Sequence, residues 1–301
     1  NKLKTKQLIT INGKVMAVAF MANAQHLIYR KDILEKLNLS TPKTYEEMLL
    51  AAKKIREAGL SNYPIGGAYK AGWNLAQEFN NMFIGYGGKH FKENTAEPNV
   101  NSDAGINALN MMKSLSEFMN PDFLTHDSNT TTAEFRAGNV IMMNMWGSRV
   151  ATLTNAEGVT DEIKNGTDIS GPLTVGGGTI PASTLFWDGW TIAKNINDKE
   201  AEATFKAMIH AIDPLIIKDE NVKNEAVWLI DGYTPTNTAR GVFSAVEMKT
   251  KPYPMLPYIG LMHSAIGAEL ADFMQNKEDA KKTLSDIEDA YRAAAKEKGF
   301  L

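Results

Sequence analysis

An α/β fold is what this sequence predicts, and three observations predict it. Short apolar runs of strand length alternate with segments whose apolar residues recur at helical spacing. Glycine, asparagine and proline punctuate the boundaries between them. At 301 residues the chain is long enough for two folded units.

The elements follow in order. INGKVMAVAF (11–20) opens with an Asn-Gly turn signal and continues as a buried strand. Residues 27–39 carry Leu27, Ile28, Ile33, Leu34 and Leu37 at spacings that predict a helix. The clearest helix lies in residues 41–60. Thr44 and Glu47 form a capping box, Pro42 precedes it and Gly59 stops it, with Tyr45, Met48, Leu49, Ala52 and Ile55 on one face. YPIGG (63–67) reads as a strand ending in a turn. A helix at 73–84 carries Trp73, Phe79 and Phe83, and a loop spans 85–101. A helix at 103–119 ends at Asn120-Pro121. The polar loop THDSNTT (125–131) leads through a short helix at 132–138 into a strand at 139–146. Residues 154–183, rich in Asn, Gly, Thr and Asp, read as irregular or hairpin-like. TLFWDGWTIA (184–193) resumes strand character. Residues 198–212 form an amphipathic helix with Ala201, Phe205, Met208, Ile209 and Ile212 together. A Pro-containing connector at 232–240 and a long helix near 277–297, with Ala280, Leu284, Ile287 and Tyr291 inward, complete the chain.

Composition removes several chemistries. Net charge is −3 with both signs mixed along the chain, so no basic stripe marks a nucleic-acid surface. Cysteine is absent, which excludes thiolate catalysis and cysteine-based metal sites. The five histidines show no ligand spacing, and the glycines at 176–178 lack the Gly-Lys-Ser/Thr ending of a phosphate loop. No nucleophile elbow occurs. A carboxylate pair for glycoside hydrolysis stays open, with Asp188 and Asp127 as candidates. No cofactor and no resident metal are expected.

The placing of tryptophan is informative. Four of the five sit beside Gly, Asn or Asp: Trp73 in AGWNL, Trp146 in MWGSR, and Trp187 and Trp190 in FWDGW. A sugar ring offers a C–H face and a hydroxyl edge, which call for aromatic plates and for polar side chains respectively. WGSR and WDGW supply both at the end of a strand. A core tryptophan with its indole N–H on a backbone partner is the competing reading for each one.

These motifs, in this order, resemble the extracellular solute-binding proteins of bacterial ABC sugar importers, the family that includes maltose-binding protein. The resemblance rests on INGKVMAVAF with HLIYRKDILEKLNL, then TPKTYEEMLLAAKKI, AGWNL with GYGG, FRAGNVIMMNMWGS, WDGWTIAKNINDKEAEATFKAMI and DGYTPTNTA. It implies a two-lobed periplasmic-binding-protein fold with several crossings between lobes. One lobe comprises 1–20 and 191–232, the other 24–186 and 238–301, and the crossings are 20–23, 187–190 and 233–237. The strands and helices that precede INGKVMAVAF in the family, and the export signal, have no counterpart in this sequence, so the first lobe is expected to be incomplete in this chain.

Carried over by position, the resemblance implies ligand contacts from Asn23 and Gln25, from Trp73, from Trp146 with Ser148 and Arg149, and from Trp187, Asp188 and Gly189. The implied role is capture of a carbohydrate or sugar derivative outside the cytoplasmic membrane, by a monomer that delivers it to ABC permease subunits as the lobes close. No catalytic residue is implied. The alternatives are a carbohydrate-active hydrolase using Asp188, and a binder of a non-sugar solute such as a polyamine or an organic acid.

Overall fold

Asn12 and Gly13 both take positive φ, 50° and 74°, as a tight hairpin turn demands. They join β1 (Leu8–Ile11) to β2 (Lys14–Arg30), a strand of 17 residues. The computed structural model describes residues 8–154 and 158–301, so the first seven residues assigned to the first lobe lie outside the described residues.

The expected helix at 27–39 is corrected. β2 continues through Arg30 and only α1 (Lys31–Lys36) is helical. Leu27 and Ile28 are both fully buried, in different cores. A strand covered on both faces loses the period-2 alternation, and its apolar run then mimics helical spacing.

α2 (Tyr45–Glu57) begins at Thr44, whose Oγ1 accepts from Glu47 N–H at 3.1 Å. Glu47 Oε2 in turn accepts from Lys43 N–H at 2.6 Å, one residue before the cap. Gly59, at φ 69°, lets the chain leave the helix. β3 (Ile65–Gly66) and α3 (Trp73–Gly85) come next. α3 is buried continuously from Leu75 to Gly85, although four of those residues are Gln77, Glu78, Asn80 and Asn81. α4 (Asp103–Ser116) follows, capped by Ser102. α5 (Ser128–Arg136) starts four residues earlier than the sequence suggests, because Asp127 caps it through Asn129 and Thr130 N–H. β4 (Met142–Trp146), α6 (Val150–Thr154), α7 (Asp161–Gly166) and β5 (Thr167–Ile169) lead to β6 (Leu185–Trp190). Part of the stretch expected to be irregular is therefore regular, and residues 155–157 lie outside the described residues. The chain ends with α8 (Asp198–Ala211), α9 (Glu220–Glu225), β7 (Val227–Trp228), α10 (Arg240–Glu247), α11 (Ile259–Met274) and α12 (Ala280–Glu297).

β2 belongs to two sheets. Its first part pairs antiparallel with β1, β6 and β7; its last part, from Gln25 onward, pairs antiparallel with β4 and β5. β3 joins the second sheet parallel to β4. On one face of that sheet Leu27 and Tyr29 enter a large core built with α2, α3, α4, α11 and α12. On the other face Ile28, Met143 and Met145 pack with Phe135, Val150, Leu153 and Ile163. The first sheet has a smaller core of Val18, Ile212, Ile217 and Ile230, flanked by Phe20, Trp190 and Trp228. α8 has no buried residue, and Phe205, expected on its inward face, is exposed.

α10 packs on β2 through a glycine. The buried His26 ring lies where a Gly241 Cβ would stand, 2.4 Å from Cε1 and 2.5 Å from Cδ2. Alanine raises helix propensity by about 1 kcal/mol, whereas forcing a methyl into packed side chains costs about 1–3 kcal/mol. Gly241→Ala is therefore expected to lose stability on the order of 1 kcal/mol in urea unfolding, although the same change on an exposed helix face gains it.

Candidate functional site

Where β2 changes sheets, the ends of β4 and β6 lie beside it and frame a cavity of ≈ 320 Å³. β2 contributes Asn23, whose Nδ2 donates to Ser148 Oγ at 3.1 Å and whose Oδ1 accepts from Ser148 N–H at 3.3 Å. β4 ends in Trp146, and the single turn after it carries Ser148 and Arg149. The first residues of α3, Trp73 and Asn74, form another side, and Ser128 of α5 and Phe186 and Asp188 of β6 complete the lining.

The walls combine aromatic plates with polar groups that retain hydrogen-bonding capacity. Trp73 is 54% exposed, its ring centroid 6.4 Å from that of Trp146 at an interplanar angle of 30°. Phe186 meets Trp146 edge-on at 5.3 Å. Arg149 donates from Nη2 to Ser128 Oγ at 3.2 Å, while its Nε is buried with no hydrogen-bond partner. Among the described residues no carboxylate forms an ion pair with Arg149. Burial pushes the Asp188 carboxyl above its ordinary value. Volume alone does not select this cavity: one of ≈ 490 Å³ lies among the loops around Gly59–Tyr63 and Asn139, but it offers no pair of aromatic plates.

The family description "bacterial extracellular solute-binding protein" matches residues 2–213. The chain belongs to that family. A curated relative described as a probable ABC transporter-binding protein, from Deinococcus radiodurans, is 28% identical over 207 residues, which are 64% of this chain and 46% of that one. The matched part thus spans less than half of the relative's length. Two solved structures share the fold. A maltose-bound MalE3 of T. maritima aligns over 97% of this chain and 76% of its own, at 20% identity and TM-score 0.80. An ABC transporter solute-binding protein from Agrobacterium vitis S4 with bound D-mannitol aligns over 100% and 79%, at 18% identity and TM-score 0.82.

Of the contacts expected in this solute-binding protein, the structure brings Asn23, Trp73, Trp146, Ser148, Arg149 and Asp188 to one cavity. Three are placed elsewhere. Trp187 cannot share a face with Phe186 and Asp188, because successive strand residues point to opposite sides. It is 38% exposed and lies over Gly189 instead: a Cβ there would meet the Trp187 ring at 2.7 Å and the Val18 carbonyl oxygen at 3.1 Å. Gly189 thus makes room for an indole and for β2. Trp190 stacks on Phe20 at 4.4 Å in the smaller core. Asn74, Ser128 and Phe186 are lining residues absent from the set that the sequence implies. Period-2 alternation from Asp188 points to Phe186; Asn74 and Ser128 carry no comparable signal.

Gln25 is the third residue placed elsewhere. It is 1% exposed and lies beneath α3, two strand positions beyond Asn23. Its Nε2 donates to Glu78 Oε1 at 2.5 Å, and its Oε1 accepts from Asn81 Nδ2. Asn144 Nδ2 donates to Glu78 Oε2 at 3.1 Å, and Gln77 and Asn81 bond Thr184 beside β6. This buried polar layer backs the cavity wall. Burial pushes the Glu78 carboxyl from 4.5 up to about 7, against the opposing hydrogen bonds from Gln25, Asn144 and Ala68 N–H.

Between pH 4.5 and about 7 the native state holds a proton on Glu78 that the unfolded chain has released, so this contribution to stability falls as pH rises. At about 1.4 kcal/mol per pH unit, it amounts to roughly 2–3 kcal/mol between pH 5 and 8. His26 and His90, each lowered to about 4 by burial, act oppositely below pH 6.5, so a difference measurement is required. Glu78→Gln keeps the shape, and turning over the Asn144 amide offers its unpartnered Oδ1 to the new amide. In urea unfolding, wild type minus Glu78→Gln is expected to lose that 2–3 kcal/mol from pH 5 to pH 8; a pH-independent difference removes Glu78 as the titrating group.

Proposed function

We propose that the cavity is the capture site for a carbohydrate or polyol, outside the cytoplasmic membrane, and that the loaded protein delivers its ligand to an ABC permease. The observation that carries this reading is the pair of indoles, Trp73 exposed and Trp146 partly buried, beside Asn23, Ser148, Arg149 and Asp188. Indole faces stack on C–H surfaces, and charged partners strengthen hydroxyl hydrogen bonds. The maltose and D-mannitol bound by the two structural neighbours belong to that ligand class. Residues 1–20 with 191–232, and 24–186 with 238–301, would be the two lobes, crossing at 20–23, 187–190 and 233–237. Closure bends the ribbon formed by β2 and β6, whose register already shifts between Ala19 and Met21. A ligand that contacts both lobes favours the closed state and so shifts the population.

Glycoside hydrolysis needs two carboxylates across the scissile bond. Asp188 is the one carboxylate among the described lining residues, which favours binding without turnover. Arg149, lacking an anionic partner among the described residues, supports a second reading in which the ligand is an organic acid.

Fluorescence and calorimetric titration with maltose, D-mannitol and a panel of small carboxylates separates these readings. Saturable binding of a sugar or polyol is expected, without turnover. Trp146→Ala should weaken it by at least about 1 kcal/mol, roughly fivefold. An unchanged isotherm would remove Trp146 from the site; binding of carboxylates alone, abolished by Arg149→Gln, would replace the sugar reading with the acid one.

A further inference from the structure

We propose that His263, which does not line the cavity, is the positioning residue for Trp73: it holds the indole as a preset plate before ligand arrives. This rests on the reading of the cavity as the ligand site. Trp73 is the first residue of α3, more than half exposed, behind an N-cap glycine that makes no side-chain bond. Its orientation must be fixed from outside its own helix.

α11 supplies that restraint twice, one turn apart. His263 is buried, and its ring stacks on the Trp73 indole at 4.8 Å with an interplanar angle of 25°. Its Nε2 lies 3.0 Å from the Trp73 carbonyl oxygen. Four residues on, Gly267 lies so close to Gly72 that a Cβ would stand 2.8 Å from the Gly72 carbonyl oxygen. Gly72 itself has φ 95°, a conformation that favours glycine. The turn that launches Trp73 is therefore clamped by α11 through backbone and ring together.

The hydrogen bonds assign the imidazole's protonation. A carbonyl oxygen only accepts, so Nε2 carries the hydrogen and donates to Trp73. Nδ1 is then bare and accepts from the Tyr253 hydroxyl at 2.8 Å, with Asn80 Nδ2 at 3.2 Å beside it. Asn80 Oδ1 in turn takes the Nε2–H of His90 at 2.7 Å. With His263 neutral every group in this relay has a partner, and burial also favours that form. Tyr253 extends the support to a second wall residue, packing on Phe186 at 4.9 Å. The rings close a circuit, from His263 through Tyr253, Phe186, Trp146 and Trp73 back to His263. Three of the five rings face the cavity, and two brace them from behind.

A double-mutant cycle on the whole chain tests the proposal, with maltose and D-mannitol as probes. His263→Leu is expected to weaken whichever probe binds by about three- to tenfold, the effect of leaving a contact side chain unordered. In a Trp73→Ala background the same change should move Kd by less than about twofold, since the residue it acts through is gone. His263→Gln keeps a donor for the carbonyl and an acceptor for Tyr253, and should retain most of the affinity. A second arm needs no ligand. Acrylamide quenching of the Trp73 fluorescence, isolated by subtracting Trp73→Phe in each background, should rise in His263→Leu and not in His263→Gln. Equal losses of affinity in both backgrounds, or unchanged quenching, overturn the proposal. If neither probe binds wild type, the sugar reading fails for these ligands and the quenching arm alone decides His263. Should His263→Leu not fold, Tyr253→Phe removes the nearer of the two donors to Nδ1 and loosens the ring; the same readouts then support or overturn the proposal in the same way.

Discussion

One strand serving two sheets is the constraint on which the rest of this molecule depends. β2 pairs with β6 through Ala24 and with β4 from Gln25, so its partner changes between adjacent residues. At that change β4 ends and β6 begins, both paired to β2, and side chains at those ends line the cavity. The cavity opens there. Asn23 stands opposite Phe186 in one register and Gln25 opposite Trp146 in the next, so a single strand sets the relative height of both aromatic walls. Slipping β2 by one residue would turn Asn23 away from Ser148 and exchange the two cores of the second sheet.

The same arrangement explains why so polar a helix is buried. α3 lies over the change of partner and is covered on every side, yet it carries Gln77, Glu78, Asn80 and Asn81. An unpartnered polar group in such a place costs about 1–3 kcal/mol, and each of these side chains finds at least one bond within the protein, Gln77 Oε1 alone among their oxygens staying unpartnered. Glu78 finds Gln25 on β2 and Asn144 on β4. Gln77 and Asn81 find Thr184 at the root of β6, and Asn80 finds two histidines. A helix joined by hydrogen bonds to β2, to β4, to the approach of β6 and to α11 cannot shift against one of them without breaking bonds to the others. Trp73 begins that helix, which gives the plate a rigid base.

Much of the fold is legible in the sequence because local chemistry and tertiary position agree. The Asn-Gly hairpin, the Thr44 cap and the order of strands and helices are all short-range signals. What is not legible involves burial on two faces. Leu27 and Ile28 mimic a helix because a doubly covered strand has no alternation to show. Gln25 misleads because a hydrogen-bonding side chain has the same identity in a cavity and beneath a helix. Of the nine expected contacts, the six drawn together are those whose side chains turn to the cavity near the change of partner, and residue type alone does not mark them. Only the three-dimensional packing distinguishes Asn23 from Gln25, since both occupy the same face and differ by one step along it.

The segment FWDGW shows how alternation divides labour that residue type cannot. Phe186 and Asp188 turn to the cavity, and Trp187 turns the other way to lie over Gly189. Trp190 leaves the run to stack on Phe20 in the smaller core. Asp188 therefore sits between an indole fixed over its neighbouring glycine and an aromatic stack two residues on. A carboxylate carried on a loop would lose freedom on meeting a ligand. This one is ordered by contacts its neighbours make regardless of ligand, so most of that entropy is lost in folding and not in binding.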